Sequence, residues 1–324
     1  MASATICRGK DVALKKCTLT LHWLPQAQFA GYYVAKEKGY YRDAGLDVDI
    51  KHKAPQDSIC TLLRNRKTDF ITNFLAPSIK KRSQGCPLVN IGQISQKSAL
   101  MFVARKSSRI KTIKDMDGKR LGLWMVDFKV IPQILLKKNS ANPKIIPVVK
   151  DIDLFLWKGV DVITVMWYNE FYQILNAGLN EDELTVFFFP DYGLNVPEDG
   201  IYCLEKTYSK NPEMCRKLVN ATLRGWHEAF LYPAATLKIV KQYCRKGRRR
   251  FNFPHQEWML DKMRKLIFPA DCRPGFLSPE IYNSVAGELK KMHDIKRICP
   301  YGEFYKNVLD GKTRTKAIDK NVKK

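Results

Sequence analysis

The regular exchange of short apolar strands for amphipathic helical segments does most to limit the architectures open to this chain. CTLTLHW (17–23) alternates apolar and polar residues at the period of a strand, and Pro25 ends it. QFAGYYVAKEKG reads as a helix stopped at Gly39, a residue suited to a left-handed cap, and YYRDAG adds a turn before the strand LDVDI. A strand, a crossover helix and a second strand of this length imply parallel pairing and hence an α/β sheet. The pattern continues through TDFITN, LVNIGQI and ALMFVARK. A strand ending near Trp124, a helix over about 129–138, KIIPVVK, a helix near 151–158, VDVITVMW and EFYQILNAG form a second αβ block. TVFFFP and GIYCLEK follow as strands, and from Asn211 the chain turns helical at a period of 3.6 residues.

Two αβ blocks followed by one helical return predict two lobes around a cleft. The expected division is a first lobe over 18–105, a second over 106–202, a mostly helical return to the first over 203–305, and a basic tail over 306–324 that is expected to be disordered. The crossings are placed near Lys106, in the loop RKSSRIK, and near Tyr202.

Composition narrows the function classes. An apolar share of 45% in 324 residues supports a buried core. The 56 basic against 32 acidic residues leave a net charge of +24, partly local to the basic clusters CRKGRRR (244–250) and 312–324. Such runs serve as solvated surface, as a contact for a polyanion or membrane, or as ligand capture. Nucleic acid is not the expected partner, since no finger, helix-turn-helix spacing or RNA-binding aromatic motif accompanies them. The nine cysteines (7, 17, 60, 86, 203, 215, 244, 272 and 299) are scattered, with no CxxC and no zinc spacing, and are expected as buried free thiols. MASATICRGKDVALKKC contains no apolar stretch of the roughly 7–15 residues that a secretory leader needs. A cytoplasmic location is therefore expected, or a periplasmic or cell-envelope one if a leader has been removed.

In open α/β sheets, ligands bind beyond the carboxyl ends of the strands. Five strand ends here lead into Trp23, Asn73, Trp124, the run Tyr168-Asn169-Glu170, and Asp191-Tyr192. Each has a structural alternative: a tryptophan can cap a core, Asn73 or Asn169 can cap a helix, Glu170 can complement a helix N-terminus, and Asp191 can belong to a turn with Gly193. Together they suit a flat heteroaromatic ring bearing amino groups, stacked by the indoles and held by Asn169 and Glu170. The candidate ligand-binding set is Trp23, Asn73, Trp124, Tyr168, Asn169, Glu170 and Tyr192. No catalytic or metal-binding residue is assigned, and His22 and His52 are expected at a surface or strand edge.

LHWLPQAQFAGYYVAKEKGYYRDAGLDVDI, MDGKRLGLW, VMWYNEFYQILNAGLNEDELTVF and EDGIYCLEKTYSKNPEMCRKLVNATLRGWHEAFLYP resemble the solute-binding-protein-like family. That family includes binding proteins for thiamine pyrimidine precursors and alkanesulfonates, and the fungal thiamine pyrimidine synthase. The resemblance covers roughly 18–245 and implies a type II periplasmic-binding-protein fold, two αβ lobes joined by two crossovers with a ligand between them. It implies a small heteroaromatic ligand, no cofactor, and a membrane permease or sensor module as partner. Its alternative is the synthase, which the family implies uses a histidine, a lysine holding pyridoxal phosphate, and a cysteine-rich run with iron. At the matching positions this chain carries Asn73 and Pro77, which supply neither a Schiff-base amine nor an imidazole. Of the cysteine-rich run only Cys203 lies nearby.

Overall fold

The computed structural model describes residues 13–54, 56–124, 129–148 and 151–309. The basic run 312–324 and Cys7 lie outside these residues. The first lobe opens with β1 (Lys15–Leu21), α1 (Ala30–Glu37), α2 (Tyr40–Asp43), β2 (Leu46–His52), α3 (Ile59–Arg64), β3 (Phe70–Phe74), α4 (Leu75–Ser83) and β4 (Leu88–Gln93). The second lobe comprises β5 (Leu100–Arg105), β6 (Arg120–Trp124), α5 (Val130–Lys138), β7 (Lys144–Val148), α6 (Asp153–Leu156), β8 (Val162–Met166), α7 (Glu170–Asn176) and β9 (Leu184–Phe188). The chain then returns through β10 (Asp199–Leu204), α8 (Glu205–Lys210), α9 (Pro212–Leu231), α10 (Pro233–Lys246), α11 (Phe253–Ile267), α12 (Pro279–Lys291) and α13 (Tyr301–Phe304). Gly39 takes φ +77° between α1 and α2, the left-handed conformation expected of it.

Each lobe holds a five-stranded sheet, ordered β2-β1-β3-β10-β4 and β7-β6-β8-β5-β9. The pairs β1–β2, β1–β3, β6–β7 and β6–β8 are parallel, as crossover helices demand. β10 runs antiparallel to β3 and β4, and β5 to β8 and β9, so the sheets are mixed rather than wholly parallel. A strand entered directly from the other lobe starts at the cleft, whereas its neighbours finish there. Pro147 is tolerated because β7 is an edge strand, paired with β6 alone.

Sheet membership corrects the expected boundaries. Because β5 pairs in the second sheet, the chain changes lobe within 94–99, before Lys106, and because β10 pairs in the first, it returns within 189–198, before Tyr202. Apolar runs on either side of a crossing look alike in sequence, and only pairing assigns them.

The returning helices cover the first sheet. α1 and α9 pack so closely that a Cβ on Gly31 would stand 2.2 Å from the Trp226 indole, and one on Gly225 would stand 2.2 Å from the Gly31 carbonyl. Glycine at both positions is what lets the backbones meet. Cys60 and Cys86 are joined in a disulfide with Cα atoms 6.1 Å apart, against the expectation of free thiols throughout. The start of α3 and the turn after α4 meet although 26 residues separate them. Cys17, Cys203, Cys215 and Cys244 are buried free thiols.

Candidate functional site

The ends of β1 and β3 face the ends of β6 and β8 across the cleft. The first lobe lines the cavity with His22, Trp23, Gln26, Gln28 and Phe74. Leu100 at the start of β5, Trp124, Val165, Met166, Tyr168, Asn169 and Glu170 complete it from the second. Five of the seven expected residues, Trp23, Trp124, Tyr168, Asn169 and Glu170, thus surround one space. Its free volume of about 90 Å³ is less than the roughly 150 Å³ that accepts a benzene ring, so even one ring requires the lobes to part slightly.

The second-lobe wall is held by its own hydrogen bonds. Trp124 Nε1 donates to the Thr164 carbonyl at 2.9 Å, fixing the indole's tilt. Glu170, the first residue of α7, accepts from the Met166 N–H at 2.9 Å and from Asn169 Nδ2 at 2.6 Å, and Asn169 Oδ1 accepts from Gln173 at 3.2 Å. Burial raises the Glu170 carboxyl above its ordinary value, while these hydrogen bonds pull it back. Trp23 stands opposite with 42% of its surface exposed.

Two expected residues lie elsewhere. Asn73 is buried and donates through Nδ2 to Ser78 Oγ at 2.8 Å, while its neighbour Phe74 lines the cavity. Successive side chains of a strand point to opposite faces, so one position decides which enters the cleft. Tyr192 rides a short 3-10 turn after the edge strand β9 and is not among the lining residues.

His22, expected at an edge, is instead part of the cavity wall. Its Nδ1 lies 2.8 Å from Thr72 Oγ1 and its Nε2 lies 3.4 Å from Asp199 Oδ1, and Gln28 Nε2 donates to the same carboxylate at 3.2 Å. Burial pushes His22 down to about 3 and Asp199 up to about 7, so at neutral pH the pair carries at most the single negative charge of Asp199. Neighbouring Glu198, pushed up to about 8 by burial, ties the two crossovers together. It accepts from Ser98 Oγ at 2.8 Å and from the Ala99 N–H at 2.9 Å, while the Ile94 and Ser95 N–H groups donate to the Asp199 carbonyl, both at 2.9 Å.

α11 straps the lobes from outside. Gln256 Oε1 accepts the Ala27 N–H at 2.7 Å on the first-lobe side. Trp258 Nε1 donates to the Trp167 carbonyl at 3.0 Å on the second, and His255 stacks on Tyr172 with ring centroids 5.1 Å apart. No local motif marks these contacts, which join positions some 230 residues apart in one case and 91 in the other.

Among the described residues no lysine or arginine lines the cavity. Pyridoxal phosphate would need a lysine there, and Asn73, at the matching position, is turned to Ser78, so the residues do not fit that group. Among the described residues no three His, Cys, Asp or Glu side chains converge as an iron site would require. None of the described helices is long and apolar enough to cross a membrane.

Residues 26–236 match the protein family described as NMT1/THI5 like. The riboflavin-binding protein RibY of Chloroflexus aurantiacus is 25% identical over 71% of this chain and 67% of its own length. A putative thiamine biosynthesis protein of Haemophilus influenzae is 23% identical over 60% of this chain and 63% of its own. The chain therefore spans about two thirds of the length of these relatives. Among solved structures, the periplasmic aliphatic sulphonate binding protein SsuA from Escherichia coli superposes with a TM-score of 0.70 at 13% identity, covering 95% of this chain and 98% of that one. The architecture is thus the two-lobed periplasmic-binding-protein fold, with the cleft between the lobes and two crossovers.

Proposed function

The chain belongs to the NMT1/THI5 like family, and on that premise we propose that it is a solute-binding protein whose lobes close on a single nitrogen heteroaromatic ring, most simply a thiamine pyrimidine precursor. The observation that carries this reading is the makeup of the cleft: two indoles, an amide and a buried carboxylate, with no lysine or arginine among its described lining residues. A ring with exocyclic amino groups offers faces to Trp23 and Trp124 and N–H donors to Glu170. A sulphonate or phosphate would meet the Glu170 carboxylate with no lysine or arginine among the described lining residues to balance it, although the chain as a whole carries +24. The relative named as riboflavin-binding supports a flat heteroaromatic ligand.

Closure follows from population shift, since contacts to Trp23 on one lobe and to Trp124 and Glu170 on the other coexist only when the lobes are together. The partner in this reading is a membrane permease or a sensor module that reads the closed form, with a periplasmic or cell-envelope location. Titration with an aminopyrimidine thiamine precursor, followed by tryptophan fluorescence and thermal midpoint, tests it. Quenching with stabilisation supports the proposal. No response to that compound, with stabilisation by an alkanesulfonate, refutes it.

A further inference from the structure

Between Glu228 and Glu257 the sequence contains no acidic residue and seven basic ones. Lys238, Lys241 and Arg245 are exposed and recur at the spacing of one face of α10, whose last residue, exposed Lys246, leads into exposed Arg248, Arg249 and Arg250 in the loop before α11. None of the seven forms an ion pair among the described residues, and Lys246 rests its charge on the Tyr243 ring, 5.0 Å from the centroid. At the far end of the loop Phe253 is 49% exposed, while Phe251 packs inward against the core. The loop is firmly seated, because Cys244 Sγ donates to the Pro25 carbonyl at 3.3 Å and a Cβ on Gly247 would stand 2.6 Å from the Pro25 ring. Pro25 is two residues from Trp23, so this basic face adjoins the first-lobe wall of the cleft.

We propose that the α10–α11 face is a docking surface for an anionic lipid bilayer. Unneutralised cations beside an exposed phenyl ring supply the two components of interfacial binding, attraction to acidic headgroups and insertion of an apolar side chain. A single-stranded nucleic acid would want exposed rings on which successive bases stack, and Phe251 is turned away. The face is independent of what the cleft binds, and it sets the cleft beside the surface from which a ligand would be taken or to which it would be delivered.

The test is co-sedimentation of the full chain with phosphatidylcholine vesicles with and without phosphatidylserine. The comparison includes R248E/R249E/R250E, Phe253→Ser, and a second-lobe control, K106E/K111E/K144E, carrying the same change in net charge. The expected result is binding to the acidic vesicles alone, released by salt. At roughly five-fold for each basic residue near the surface, the loop triple variant weakens it about a hundred-fold, Phe253→Ser weakens it further than a neutral surface change would, and the control stays near wild type. Equal loss in both triple variants would make the effect one of net charge and overturn the proposal. So would an unbound wild-type chain, or retention on heparin or RNA by a chain that ignores vesicles. Far-ultraviolet circular dichroism confirms that each variant is folded.

Discussion

Glu170→Gln separates the two roles open to the carboxylate at the head of α7. In the wild-type chain its two oxygens take separate donors, the Met166 N–H and Asn169 Nδ2. Glutamine keeps one acceptor oxygen and places an NH₂ where the other stood, so one buried donor loses its partner. That loss costs about 1–3 kcal/mol, a shift of several degrees in the thermal midpoint of a chain this size. A ligand N–H held by the carboxylate loses a charge-assisted hydrogen bond worth about 1.5–3 kcal/mol, so affinity for an aminopyrimidine should fall roughly ten- to hundred-and-fifty-fold. Fluorescence titration at a temperature where both proteins are fully folded reads the second effect free of the first. A variant that melts earlier yet binds the aminopyrimidine as tightly as wild type would refute the reasoning, reducing Glu170 to a brace for α7. In the wild-type chain affinity should also decline on acidification through the raised Glu170 value, because protonation removes the charge that strengthens the contact.

Glu198 binds its proton more tightly folded, at about 8, than unfolded, near its ordinary value, so its contribution to stability is full below the unfolded value and is lost as pH rises through about 8. Thermal midpoints of Glu198→Gln, which retains an acceptor for Ser98 and Ala99, should therefore fall less than wild type between pH 5 and 8, a window set by that shift; parallel curves would contradict this. Trp258→Phe removes the donor to the Trp167 carbonyl and loosens the strap across the lobes. An increase in radius of gyration by small-angle scattering is expected, with ligand affinity lowered about five-fold, the equivalent of one hydrogen bond of about 1 kcal/mol, and an unchanged scattering profile would show that α11 does not hold the lobes together.

The strand and helix periods were legible along the chain because they are local: side-chain alternation and 3.6-residue spacing act through neighbours a few positions apart. The principle that ligands gather at strand carboxyl ends then led to Trp23, Trp124, Tyr168, Asn169 and Glu170, all of which line the cavity. It failed at Asn73 by a single position, since the residue that faces the cleft at the end of β3 is Phe74. It failed at Tyr192 because, although β9 finishes beside the cleft-bordering start of β5, the short 3-10 turn after it carries Tyr192 clear of the lining.

Local pattern carries the elements, the approximate division into blocks and the chemistry available at each strand end. Tertiary structure alone decided which sheet β5 and β10 join, that Cys60 reaches Cys86, and that His22 and Gln28 meet Asp199, 171 residues beyond Gln28. Such pairings depend on three-dimensional closure of long loops, and nothing in the spacing of nearby residues encodes which distant partner will fill the space beside a buried polar group.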